Sequence, residues 1–132
     1  MCWSNYGVTP IVLKKPLRVY KVGTSLIFGE FISLYQDFWY PKFKNMPTVK
    51  INPVFERCVY VIGHVSELWT YDRFYIHEGY HSYLTEEMAK CRRDECEEIG
   101  IFEIPAGATI YVNYKYKEVV STDIKYLGLL ES

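Results

Sequence analysis

The sequence predicts an α+β fold: a mostly antiparallel, twisted sheet with one short helix near residues 85–94. Three observations carry this. The last third, IGIFEIPAGATIYVNYKYKEVVSTDIKYLGLL, holds four β-type runs parted by Pro105, Gly107, Asn113 and Asp123. The segment LRVYKV alternates, with Leu17, Val19 and Lys21 on one side and Arg18, Tyr20 and Val22 on the other. Thr85 followed by Glu86 and Glu87 is a helix start, a hydroxyl cap with acids in the first turn.

The elements follow in order. Pro10 and Pro16 bracket IVLKK, and a strand follows at 17–22. SLIFGEFISLY is apolar with Gly29 in its middle, which fits a bulged strand or two short pieces. DFWYPKFKNMPTVKINP is broken by Pro41, Pro47 and Pro53 and reads as a long surface loop. An extended stretch is expected at 48–51, with Phe38, Trp39 and Phe43 holding the loop down. RCVYVIGHV is a strand at 57–62 by its β-branched content, with Cys58 as a small buried hydrophobe and Gly63 closing it. Tyr71, Phe74, Tyr75, Ile76, Tyr80 and Tyr83 favour strands around a turn at Glu78-Gly79. That turn sends a short strand into the Thr85 cap. The helix is expected to pack Met88 and Cys91 inward. Strands then follow at 100–104, 109–113 and 118–127, the last parted into 118–121 and 124–127.

The chain has 132 residues, which suits one domain over 1–132. Surface scaling gives roughly 7,000 Å² accessible when folded against about 23,000 Å² unfolded, so a core forms without disulfide staples. Hydrophobic residues make up 49% and charged residues 23%, which excludes a disordered segment. The net charge is −1, so there is no general basic field for nucleic acid. No apolar run approaches the roughly 20 residues of a membrane-spanning helix, and no membrane association is expected. MCWSNYGVTP lacks the basic and apolar regions of a signal peptide, so a cytoplasmic location is expected. Without export, Cys2, Cys58, Cys91 and Cys96 are not read as a disulfide framework, and their spacing does not suit zinc. Removal of Met1 would leave Cys2 as a thiol beside its own amine, an N-terminal nucleophile.

One literal catalytic motif is present, His77-Glu78-Gly79-Tyr80-His81, an H-E-x-x-H. It binds zinc only on a helix, where residues four apart stack and His77 and His81 reach one metal. Glu98 or Glu103 would have to supply a third ligand. Gly79 and the surrounding aromatics oppose that helix, so the motif is read as a turn and no cofactor or metal is expected. Phosphate-cradling glycine loops and a G-x-S-x-G elbow are absent. Arg92 and Arg93 sit among acids and read as a solvated helix face. The loop at 38–50 carries only Lys42, Lys44 and Lys50 among its aromatics, too few for strong binding of single-stranded nucleic acid.

Several phrases resemble a family of small proteins of gut bacteria and their phages. These are Met1-Cys2, Val19-Tyr20-Lys21, Gly79-Tyr80-His81-Ser82-Tyr83, Ala89, Ile104-Pro105-Ala106-Gly107, Tyr111, Asn113 and Val120-Ser121. The resemblance implies a phage or mobile-element accessory protein, in a bacterial or phage-infected host cell, and carries no mechanism. A weaker likeness concerns the order of parts in ADP-ribosyltransferases. There Arg18, Ser82 and Glu118 fall at the places that grip a phosphate, brace the nicotinamide ribose and orient the nucleophile. No S-T-S triplet is present, and no E-x-E or Q-x-E leads into Val119.

The expected function is non-enzymatic: a binding or assembly protein working through an aromatic-rich surface, with a protein partner or a second copy. Aromatic content is 17%, with 13 Tyr, and buried hydroxyls each need a partner, so some of these rings belong on an interface. The alternatives are a nucleotide-binding or NAD-using transferase-like protein with a nucleotide-like small ligand, and a zinc hydrolase. The expected site gathers Tyr80, His81, Ser82 and Tyr83 beside the helix start, with Arg18, Tyr20 and Glu118 opposite. His81 is its expected switch near neutral pH.

Overall fold

The computed structural model describes residues 9–35, 39–63 and 67–131, without the side chains of Tyr60, Ile62 and Glu67. Met1, Cys2 and Phe38 lie outside the described residues. The chain forms mostly antiparallel strands with one short helix, as the alternation and the Thr85 cap predict.

The strands in the first half are β1 (Ile11–Val12), β2 (Leu17–Ser25), β3 (Phe31–Ser33), β4 (Trp39–Tyr40), β5 (Pro53–Ile62) and β6 (Glu67–Ile76). Then come β7 (Tyr80–Tyr83), the helix α1 (Glu86–Arg92), β8 (Glu98–Ile104), β9 (Thr109–Asn113), β10 (Glu118–Ser121) and β11 (Lys125–Leu129). One sheet runs β1-β9-β10-β7-β2-β3-β4, with β8 also on β2 and β11 on β8. β5 and β6 pair only with each other, as a separate ribbon.

Local chemistry explains the joints. Asn113 Oδ1 accepts from Lys115 N and Tyr116 N at 3.1 and 3.2 Å, which closes the β9–β10 hairpin with an Asx turn. Gly79 sits at φ 116° between β6 and β7, the turn expected there. Gly23 lets β3 lie against β2, since a Cβ there would stand 2.0 Å from the Ile32 carbonyl oxygen. Thr85 Oγ1 accepts from Met88 N at 3.2 Å and caps α1.

The main core packs Val19, Phe31, Tyr40, Tyr80, Phe102 and Tyr126 on one face of the sheet, with ring centroids 5.0–5.4 Å apart among Phe31, Tyr40, Phe102 and Tyr126. After β4 the chain runs along the outer edge of β11, with bridges Lys42↔Tyr126 and Asn45↔Lys125. On the opposite face Ala89 of α1 packs against Val22 and Ile99. No helix among the described residues is long and apolar enough to cross a membrane.

Three local expectations are corrected. Ala89 is the buried residue of α1, while Met88 is half-buried and Cys91 exposed. Cys91 follows Ala89 by two positions, about 200° around the helix, so both cannot face the sheet. Cys58 is only half-buried, and Val59 and Val61 are exposed, because among the described residues β5 and β6 pair only with each other. Segment 39–50 is held by Tyr40, Met46 and Val49, with Trp39 and Phe43 exposed. The run at 118–127 is parted into two strands, as expected, and they pair with different partners.

Candidate functional site

β2 is forked along one edge. Its other edge pairs with β8 from Leu17 to Gly23. On the forked edge β7 meets it only at Tyr20↔Tyr83, and β3 takes over at Gly23↔Ser33. Between these contacts β7 and β3 part. The gap opens a cavity of about 270 Å³, walled by Lys21, Val22, Ser33, Leu34, Tyr35, His81, Ser82 and Tyr83, with Arg92, Asp94, Glu97 and Glu118 completing it.

Lys21 fills the gap. It points to the core face with Val19, where only 3% of it is exposed. Its ammonium donates to the main-chain carbonyl of His81 and lies 5.2 and 5.8 Å from the ring centres of Tyr40 and Phe102. Among the described residues no carboxylate forms an ion pair with it. Burial alone pushes the amine down to about 7. The alternation of LRVYKV already places Lys21 beside Leu17 and Val19. That was the available signal, and the expected site omitted it.

His81 is anchored. Nδ1 lies 3.1 Å from the Gly79 carbonyl and Nε2 3.0 Å from that of Ile76, and the ring stacks on Tyr35 at 4.2 Å. Burial pushes its imidazole down to about 4, reinforced by the nearby Lys21 charge and opposed by the two carbonyls. It is therefore neutral at physiological pH, and the expected neutral-pH switch lies in Lys21 instead.

Strand alternation divides the other expected residues. Tyr80 and Ser82 face the core, whereas Arg18, Tyr20, His81, Tyr83 and Glu118 face the side of α1. Tyr80 is buried with its hydroxyl on the Pro47 carbonyl, outside the cavity wall. Ser82, a residue of the wall, is 4% exposed, and its Oγ has no hydrogen-bond partner. Tyr83 and Glu118 are cross-strand neighbours in the wall. Burial, then the Glu118 charge, raises the Tyr83 phenol. Arg18 is exposed, opposite Glu103 on β8, and Tyr20 packs beside α1, so neither reaches the cavity.

The transferase-like alternative is thereby corrected. Arg18 does not join Ser82 and Glu118, so the three places of the transferase layout are not gathered. The H-E-x-x-H segment is a turn leading into β7, as read from the sequence, so its spacing does not stack His77 over His81 on a helix. No three His, Cys, Asp or Glu side chains among the described residues gather as a metal site. The first turn of α1 is satisfied by Thr85 and faced by Glu86 and Glu87, which leaves it unsuited to an anion. No family model matches this chain, and no curated protein or solved structure is detectably similar to it.

Proposed function

We propose that the protein is a non-enzymatic assembly protein, an α+β accessory protein of a phage or mobile element, that self-associates through the β5–β6 ribbon. The observation that carries this is the ribbon's uncovered apolar surface. Among the described residues its base is packed where Phe74 and Ile76 meet Ile51 and Val120. Beyond the base Phe55, Val59, Val61, Leu68, Trp69 and Tyr71 are all exposed. Ten residues per strand reach about 33 Å, and a two-stranded ribbon is marginal in water by itself. A surface of this kind marks a protein contact.

Charge favours a second copy as the occupant. Arg57 and Asp72 pair on one face at 3.0 Å, and Arg73 and Glu56 pair on the other at 3.6 Å. The Arg57–Asp72 face, which also carries Phe55, Val59, Val61 and Leu68, thus holds one cation and one anion. A two-fold-related copy of that face meets opposite charge with no net repulsion. The phage setting rests on the phrase resemblance alone, as does action in the cytoplasm of a bacterial or infected cell.

Light scattering at increasing concentration tests the reading. Wild type is expected to form a defined oligomer, and Leu68→Glu to be monomeric with unchanged near-ultraviolet circular dichroism. A strictly monomeric wild type, or an oligomer untouched by Leu68→Glu and Val61→Glu, overturns it.

A further inference from the structure

The cavity in the β2 fork is independent of the ribbon, and we propose that it binds a small organic monocarboxylate, its carboxylate seated between Lys21 Nζ and Ser82 Oγ. Two buried polar groups in one wall point to such a ligand. The Lys21 ammonium has one neutral oxygen, the His81 carbonyl, as its hydrogen-bond acceptor, and no ion-paired carboxylate among the described residues. Burying a charge without a counter-ion is costly, and an arriving anion relieves that cost. Ser82 lines the same cavity, and its Oγ is buried with no partner of its own. A carboxylate has two oxygens and accepts from both an ammonium and a hydroxyl.

The rest of the wall sets the class. Val22, Leu34 and Tyr35 offer apolar surface for the body of the ligand. At about 270 Å³ the cavity lies just below the roughly 300–1,000 Å³ typical of ligand sites, so the ligand is small. Asp94, Glu97 and Glu118 line it against a single further cation, Arg92. That balance disfavours each added negative charge, so ligands carrying several, nucleotides and inorganic phosphate among them, are held less well than a single carboxylate.

The test uses the full chain and amide chemical-shift titration by NMR. The probes are benzoate, 3-phenylpropanoate, benzamide, inorganic phosphate and adenosine monophosphate. One or both carboxylates are expected to shift the amides of Val22, Ser82 and Tyr83 saturably, whereas benzamide, phosphate and the nucleotide do not. Lys21→Met is expected to weaken carboxylate binding by about tenfold or more, and Ser82→Ala by severalfold. The comparison of benzoate with benzamide is made on wild type and needs no variant to fold. Equal binding of the two, no shift with either carboxylate, tighter binding of the nucleotide, or undiminished binding by a folded Lys21→Met overturns the proposal.

Discussion

The Lys21 ammonium donates a hydrogen bond to the main-chain carbonyl of His81, sixty residues away, across the fork in which β3 and β7 part. This contact places one cationic side chain inside the core and one imidazole at its mouth. Burial drives both towards the neutral form, Lys21 to about 7 and His81 to about 4.

Stability is expected to rise with pH above neutrality. An unfolded lysine keeps its proton to 10.5, but folded Lys21 releases it near 7. Over that window the unfolded chain binds more protons, so stability is gained as pH rises and lost as pH falls. The slope from this one group approaches about 1.4 kcal/mol per pH unit. The gain is opposed once pH passes 10, where unfolded tyrosines ionise while the raised phenols of Tyr40 and Tyr83 hold their protons. Urea denaturation between pH 7 and 9 measures the slope, and Lys21→Met is expected to flatten it. Equal slopes in the two proteins would refute the assignment.

His81 contributes in the acid range. Its folded value is depressed to about 4 from 6.5, so the unfolded chain binds the extra proton between these limits. Its contribution is present above pH 6.5 and is lost as pH falls to 4. NMR titration of the imidazole resonances checks this directly. Titration of His81 at or above 6.5 would contradict the depressed value.

Two glycines at positive φ separate backbone strain from steric conflict. At Gly79, φ 116°, a Cβ would stand 2.5 Å from Val120 Cγ1, whereas at Gly107, φ 90°, nothing lies within 4 Å. Gly107→Ala is expected to cost about 1 kcal/mol for the backbone alone. Gly79→Ala also displaces the buried Val120 and is expected to cost about 2–4 kcal/mol. Equal losses on chemical denaturation would show that the β6–β7 turn yields freely.

Much of the local structure was legible in the chain. The strands at 109–113 and 118–121, the turn at Glu78-Gly79 and the Thr85 cap all stand where turn residues and alternation put them. Each depends on interactions within a few residues, so a local pattern encodes it. Segment 39–50 was less legible, because Tyr40 and Trp39 are adjacent aromatics and only one of them meets the core.

What the sequence determined by itself was therefore the alternating strands, their breaks and the helix start, which follow from dihedral preference and local hydrogen bonding. Tertiary structure decided which faces meet. It buried Lys21 while leaving Val59 and Val61 in solvent, and it set Ser82 and Glu118 in one wall while keeping Arg18 out of it. The physical reason is the fork. Val22 lies between a β7 contact some sixty positions downstream and a β3 contact about ten positions downstream, and no local pattern specifies where two such strands part.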